Sequence, residues 1–108
     1  MSSLIKSLTT ATFDNALAAT NKLVLIDFMA DWCMPCKQIA PTIEEIAADY
    51  ADALFVAKVN ADESPELLER FEVRGLPTLL LIKGGQEAAR AFVLTKTRLA
   101  AMIEAHLQ

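Results

Sequence analysis

Apolar residues along this chain occur in two patterns: short unbroken runs, and longer segments in which they recur every three or four positions. The run LVLIDFM, Leu23–Met29, is too short and too abruptly bounded for a core helix, and it predicts a strand buried on both faces. The turn residues Lys83-Gly84-Gly85 predict a hairpin between the strands on either side. The other predicted strands are LFVAKVN (54–60), LPTLLLI (76–82) and Ala88–Leu94, with Leu4–Leu8 as a candidate first strand.

The recurring pattern predicts helices between these strands. In the longest, which runs from the cysteines to Tyr50, Ile39, Ile43 and Ile46 form one apolar stripe. Ser64 and Pro65 have the residue types of a helix N-cap and of the first helical position. The other helices are predicted over Phe13–Thr20, 65–71 and Lys96–Leu107.

The order of these elements predicts the fold class. Strands and helices alternate early in the chain, which implies parallel strands with helices on both faces, and the late hairpin adds antiparallel strands. A chain of 108 residues has room for one hydrophobic core. We therefore expect a single α/β domain over residues 1–108.

Composition and charge exclude several functions. With 54% hydrophobic and 22% charged residues, the chain is expected to be ordered. The net charge of −4 argues against a nucleic-acid binder, which would present a basic face. No apolar run approaches the roughly 18 residues of a membrane span, and the polar start MSSLIKSLTT is unlike a signal peptide. We expect no nucleic-acid or membrane partner and a reducing, cytoplasmic location.

The only cysteines, Cys33 and Cys36, stand in DWCMPCKQ, where the longest helix begins. Residues three apart in a first helical turn place both sulfurs on one side, close enough for a disulfide. Unpaired N–H groups and the helix dipole favour a thiolate at Cys33, and Pro35 suits this first turn. Because a thiolate is the attacking species in disulfide exchange, the pair predicts a nucleophile with an adjacent resolving thiol.

Two other interpretations of the cysteines stay open. A structural zinc site needs four ligands, and two cysteines with His106 supply too few unless two subunits share the ion. Alternatively, the cysteines are incidental core residues, although a proline between them at a strand-to-helix junction argues against this. A purely structural disulfide would have little effect, because its loop is too short to restrict the unfolded chain. We expect no metal.

Asp27 is the one charged residue in the run LVLIDFM. Burial of a carboxylate costs free energy and raises its pKa. In one interpretation Asp27 faces solvent or caps the next helix, and in the other it accepts the proton of Cys36 beneath the disulfide. Lys58, in LFVAKVN, is its expected charge partner, unless that side chain only extends to water.

The segment Gly75-Leu76-Pro77-Thr78 precedes a predicted buried strand, where proline is unusual because it has no N–H to donate. Either Pro77 begins the strand after a trans bond, or the Leu76–Pro77 bond is cis and forms a tight turn. The cis form would expose the backbone of Leu76 as an edge with which a substrate chain pairs.

These features together resemble the thioredoxin family over essentially the whole chain: DFMADWCMPCKQIAP, the Asp27–Cys33 interval, GLPTLLLIKGG and the element order. The resemblance implies a thioredoxin fold, a central five-stranded mixed sheet flanked by four helices. It implies Cys33 as the attacking thiolate, Cys36 as the resolving thiol and Asp27 as the buried base. Lys58 is expected beside that base.

The resemblance also implies a function, the reduction of protein disulfides through a reversible Cys33–Cys36 dithiol and disulfide without a further cofactor. An NADPH-dependent thioredoxin reductase is the expected electron donor, and we expect a monomer. Pro77 is implied to be cis and to face the disulfide, with Trp32 at the rim of the site. The residues expected to contact substrate are Trp32, Met34, Pro35, Gly75, Leu76, Pro77 and Val93.

Three positions depart from the family pattern near this site. Met29 stands where the family usually has tryptophan, and Met34 and Val93 stand where it usually has glycine. Added apolar bulk around the disulfide would limit the approach of partners or select among them, unless the changes are neutral drift. Met34 has no charge, so we expect a thiolate stabilised mainly by the helix terminus and a reducing potential. Leu76, an aliphatic residue before Pro77, favours the same conclusion.

Two alternatives to a general disulfide reductase remain. The three departures would suit a binding module, or a dedicated redox partner with a narrowed range of clients. An oxidase or isomerase of an oxidising compartment would conflict with the polar N-terminal start and with the lack of a histidine between the cysteines.

Overall fold

The computed structural model describes residues 4–92 and 95–107 of the chain. Within them, the strands and helices follow one another in the predicted order. The strands are β1 (Ile5–Leu8), β2 (Leu23–Met29), β3 (Leu54–Asn60), β4 (Thr78–Lys83) and β5 (Gln86–Ala91). The helices are α1 (Phe13–Ala18), α2 (Met34–Asp49), α3 (Pro65–Arg70) and α4 (Lys96–Ala105).

The strands form one mixed sheet in the order β1-β3-β2-β4-β5. Strand β3 runs parallel to both β1 and β2, while β4 runs antiparallel to β2 and to β5. This α/β architecture is the one that the resemblance implied, and the predicted fold class is confirmed. No helix among residues 4–92 and 95–107 is long and apolar enough to cross a membrane.

Alternate residues of the central strands pack on opposite faces of the sheet. In β2, Leu23 and Leu25 pack with α2 and α4, whereas Val24, Ile26 and Phe28 pack with residues from α1 and α3. Both faces are covered, which explains why the central strands are almost wholly apolar. By the same alternation, Asp27 in β2 and Lys58 in β3 lie on the α2 face, so the fold directs the one carboxylate of β2 toward the helix that carries the cysteines.

The hairpin strands differ from their predicted bounds. Strand β5 begins at Gln86, two residues before the predicted start, because Gly84 and Gly85 both have positive φ and form a tight turn that pairs Lys83 directly with Gln86. The predicted end of this strand, at Val93 and Leu94, lies outside the described residues. Strand β4 begins at Thr78, after Pro77, since proline has no N–H for the ladder.

All four helices end one or two residues earlier than predicted, at Ala18, Asp49, Arg70 and Ala105. Ser64 occupies the N-cap position of α3, but its hydroxyl does not bond the first turn of that helix. Instead, Ser64 Oγ accepts a hydrogen bond from the backbone N–H of Thr10 at 3.1 Å, which ties the β1–α1 loop to α3.

Candidate active site

Cys33 and Cys36 form a disulfide at the start of α2. Cys33 is the N-cap residue with an extended backbone, Met34 is the first helical residue, and the Cα atoms of the two cysteines lie 5.3 Å apart. The Sγ atom of Cys33 accepts a hydrogen bond from the backbone N–H of Cys36 at 3.2 Å. Pro35 lies in the first turn, where a missing N–H removes no intrahelical bond.

The disulfide is nearly buried. Both cysteines are about 4% exposed and pack with Ala30, while Met29, Ala61 and Leu76 are partly buried against this cluster. Across the described part of the chain, no three His, Cys, Asp or Glu side chains are grouped as a metal site would require. His106 lies at the end of α4, where its Nδ1 is 2.8 Å from the carbonyl oxygen of Met102.

Asp27 is buried beneath the start of α2. Its side chain is 7% exposed, and Oδ1 has no hydrogen-bond partner among the described residues. Burial raises the pKa of Asp27 to about 6, although the charge of Lys58 acts in the opposite direction. Lys58 is the register partner of Asp27 on β3, and its own side chain is exposed. The structure therefore places the two residues together, with the lysine also reaching water.

A cavity of about 140 Å³ lies between the sheet and α2. Asp27, Cys36 and Lys58 all line it, and Met29 lines it at the position of the family's tryptophan. The carboxyl group of Asp27 and the sulfur-bearing residue Cys36 therefore border the same space. A cavity of this size with charged walls can hold water, which can carry a proton between groups not in direct contact.

The segment Gly75-Leu76-Pro77 lies beside the disulfide. The Leu76–Pro77 peptide bond is cis, and Leu76 packs against the cluster of Ala30, Cys33 and Cys36. The hydroxyl of Thr78 donates to the carbonyl oxygen of Gly75 at 2.6 Å. A Cβ atom added at Gly75 would meet nothing within 4 Å, so no contact with another described residue requires glycine there. The cis alternative for Pro77 is confirmed.

Two large apolar side chains stand exposed around the start of α2, Trp32 at 69% and Met34 at 65%. The indole Nε1 of Trp32 donates to Oδ2 of Asp62 at 3.0 Å. Sequence reasoning did not select Asp62, since it is thirty positions away and its only local signal is that it follows β3. Val93, the remaining predicted contact residue, lies outside the described residues, next to Phe92, which is 60% exposed.

A dithiol–disulfide pair at a helix N-terminus, a buried carboxyl group behind it and a cis proline beside it define a class of protein that exchanges disulfides. The thioredoxin family model matches residues 4–105 of the chain. The chain is similar to thioredoxin from Acidithiobacillus ferridurans, with 45% identity over 99% of this chain and 100% of the relative. It is also 42% identical to thioredoxin from Pseudomonas aeruginosa, again over 99% of this chain and 100% of the relative.

A third relative, thioredoxin-2 from Saccharomyces cerevisiae, is 49% identical over 72% of this chain and 74% of its own length. The chain therefore belongs to the thioredoxin family. It is a thiol–disulfide oxidoreductase with a redox-active Cys33–Cys36 disulfide. The binding-module alternative is not favoured, because the cysteines form the disulfide that the activity needs and the relatives are thioredoxins.

Proposed function

We propose that the protein reduces disulfides in protein substrates, with Cys33 as the attacking thiolate and Cys36 as the resolving thiol. In the first step the sulfur of Cys33 attacks one sulfur of the substrate disulfide, and the other substrate sulfur leaves with the electron pair and takes up a proton. In the second step Cys36 loses its proton and attacks the sulfur of Cys33, which releases the second substrate thiol. One substrate disulfide is reduced, and one Cys33–Cys36 disulfide forms.

The hydrogen bond from the backbone N–H of Cys36 to Sγ of Cys33 carries this assignment. Both cysteines are equally buried, so exposure does not distinguish them. Cys33 is the N-cap, and its sulfur accepts from the helix end, where unpaired N–H groups and the helix dipole stabilise negative charge. A thiolate is therefore more favourable at Cys33 than at Cys36.

Asp27 is the proposed acceptor for the proton of Cys36. Its pKa of about 6 makes it a better base near neutral pH than an ordinary aspartate, and it borders the same cavity as Cys36. Lys58 limits the rise of that pKa by its positive charge, which keeps the carboxyl group ionised above pH 6.

The proposed substrate surface surrounds the disulfide. The exposed side chains of Trp32, Met34 and Pro35 form one side of it. The backbone of exposed Gly75 and half-buried Leu76 forms the other side, in front of Pro77, which is buried. The open space at Gly75 and the cis bond at Pro77 support pairing between this segment and an extended substrate chain. Val93 is proposed to extend this surface, as the sequence predicts.

The proposed biological setting follows from the family. Disulfide-containing proteins are the substrates, an NADPH-dependent thioredoxin reductase returns the disulfide to the dithiol, and no cofactor beyond the cysteine pair takes part. We propose that residues 1–108 act as one monomeric domain in the cytoplasm, without a nucleic-acid or membrane partner.

The experiment that tests this proposal separates the two cysteines. Wild-type protein should accelerate the reduction of insulin by dithiothreitol, and Cys33→Ser should not. Cys36→Ser retains the nucleophile but cannot resolve, so it should form a stable mixed disulfide with insulin, detectable by mass spectrometry. Equal insulin reduction by wild type and Cys33→Ser would refute the proposal, as would trapping through Cys36 in the Cys33→Ser variant.

A further inference from the structure

The side chain of Arg90 crosses from β5 to the end of α3. Its Nη2 donates to the carbonyl oxygen of Phe71 at 2.6 Å, and its Nη1 donates to the carbonyl oxygen of Glu72 at 3.2 Å. The same guanidinium is paired with Glu87, with Nε 2.8 Å from Oε2 and Nη2 2.9 Å from Oε1. These bonds occupy most of the donors of the guanidinium and hold it in one orientation.

A bulge in β5 places Glu87 where it can make this pair. Leu81 pairs with Ala89 and Ile82 pairs with Glu87, so Ala88 is an extra residue between two rungs of the ladder. Residues three apart on a regular strand point to opposite faces of the sheet. The extra residue turns Glu87 to the same face as Arg90, which is the face that packs with α1 and α3.

The carbonyl groups that Arg90 binds belong to an unfavourable turn. Glu72 has a φ of 54°, a left-handed conformation that glycine usually supplies at the end of a helix. The backbone N–H groups of Glu72 and Val73 bond to the carbonyls of Glu69 and Leu68, which completes a helix-ending turn. A residue with a Cβ keeps this conformation only where surrounding contacts hold it, and the guanidinium is such a contact.

This turn leads directly into the segment beside the disulfide. Val73 is buried with the residues of the α1 and α3 face, and Leu76 packs against the cysteines. The hydroxyl of Thr78 fixes the far end of the segment through Gly75. Arg90 fixes the near end through Glu72, so the path of the chain between the two anchors depends on both.

We propose that Arg90, oriented by Glu87, is a positioning residue for disulfide exchange with protein substrates. By holding the carbonyls of Phe71 and Glu72, it sets where Gly75-Leu76-Pro77 presents its backbone to a substrate chain. Arg90 acts through this segment and not on the reacting sulfur atoms. The inference rests on the proposed role of the segment as the substrate-contacting edge.

The test compares a substrate that has a peptide backbone with one that does not. Protein reduced beforehand with dithiothreitol is mixed with insulin, or with the small aromatic disulfide 5,5′-dithiobis(2-nitrobenzoate). Arg90→Met should raise the half-saturating insulin concentration about fivefold. This change corresponds to only part of the free energy that charge-assisted hydrogen bonds contribute. The rate constant with the small disulfide should stay unchanged, since that molecule has no backbone to align. Arg90→Lys keeps the charge but not the forked geometry and should give an intermediate value.

Arg70→Met is the matched control. Arg70 is paired with Asp14 at 2.9 Å and lies over the ring of Phe71 at 5.1 Å, so its loss removes a comparable ion pair and disturbs the same residue. It leaves the bonds from Arg90 to the carbonyls of Phe71 and Glu72 in place. This variant should bind insulin as the wild type does.

The outcomes separate the inference from the proposed function. An unchanged half-saturating insulin concentration in Arg90→Met would overturn the positioning role. So would an equal loss of activity with insulin and with the small disulfide, or an equal rise of the half-saturating insulin concentration in Arg90→Met and Arg70→Met. If Arg90→Met does not fold, Glu87→Gln takes its place and should raise the half-saturating insulin concentration by a smaller factor. An unchanged concentration in Glu87→Gln would again contradict the positioning role. Insulin reduction that is absent in the wild type or retained in Cys33→Ser would instead contradict the proposed function.

Discussion

At the scale of single residues, the buried carboxyl group of Asp27 has the clearest consequence. Its pKa of about 6 in the folded protein exceeds the ordinary value of 3.8, so the folded state binds a proton more tightly than the unfolded chain does. Below pH 3.8 this group does not lower the free energy of unfolding, because it is protonated in both states. The free energy of unfolding falls as the pH rises from 3.8 to 6, and above pH 6 the loss is complete. The buried carboxyl group of Asp27 therefore lowers the stability of the folded protein at neutral pH.

We predict that the free energy of unfolding of Asp27→Asn, relative to wild type, rises by about 3 kcal/mol between pH 3.5 and pH 7. Because the variant and the wild type are compared at both pH values, any effect of the amide on stability that does not depend on pH cancels. Denaturant unfolding at a series of pH values measures it, and a difference independent of pH would contradict a raised pKa. Lys58→Met should raise the pKa of Asp27 further, because it removes the charge that lowers it.

Met34 occupies the first helical position between the cysteines with 65% of its surface exposed. We predict that Met34→Gly shifts the redox potential by less than about 30 mV, because the side chain has no charge and no donor for the thiolate. Glutathione titration measures this potential. Binding of a disulfide peptide with apolar flanking residues should weaken by up to about tenfold, since a methionine contact is lost.

Met34→Leu, which keeps the apolar bulk, is the control for this prediction and should bind the apolar peptide as the wild type does. A second peptide with charged flanking residues should bind Met34→Gly and wild type alike. If neither potential nor peptide preference changes in Met34→Gly, the departure from the family's glycine is neutral drift.

At the scale of elements, helix ends show how far residue type predicts structure. Thr95 and Ser64 are both N-cap residues of the preferred type, but only Thr95 caps its helix, through a hydrogen bond from the backbone N–H of Arg98 at 3.3 Å. Ser64 bonds to Thr10 of a distant loop. The same side-chain chemistry therefore satisfies a helix end in one place and joins two elements in another.

We predict that Thr95→Ala lowers the free energy of unfolding by about 1 kcal/mol, because α4 loses the acceptor at its first turn. Thr95→Ser keeps the hydroxyl and should retain most of the stability. Urea denaturation monitored by circular dichroism measures both. Equal stability of the alanine variant and the wild type would show that the cap contributes nothing.

At the scale of the whole molecule, the two core clusters are separated by the sheet. Ile26 is fully buried on the α1 and α3 face, and Ile103 is fully buried on the α2 and α4 face. Since the clusters share the same strands, we expect them to unfold together in one cooperative transition. We also expect their side chains not to interact across the sheet.

We predict that Ile26→Val and Ile103→Val each lower the free energy of unfolding by about 1 kcal/mol. In the double variant the losses should add to within about 0.5 kcal/mol. Fluorescence and circular dichroism should report the same single transition in denaturant. Two separate transitions would contradict a single domain over residues 1–108.

The sequence by itself determined most elements and the nature of the reaction. Unbroken apolar runs such as Leu23–Met29 specify buried strands through their own composition, and the spacing of Cys33 and Cys36 brings the sulfurs together within one helical turn. It also selected Asp27, because a lone carboxyl group in an apolar run is conspicuous. These features are local, so nearby residues suffice to predict them.

Only the tertiary structure decided which distant residues meet. The bond from Trp32 to Asp62, the bond from Ser64 to Thr10 and the reach of Arg90 to the end of α3 each join positions that no local pattern relates. The bulge at Ala88 and the tight glycine turn set the register of β5. The polar residues of this strand do not predict that register. Such contacts depend on how whole elements pack, because hydrogen-bonding groups bind whatever partner the fold brings within reach.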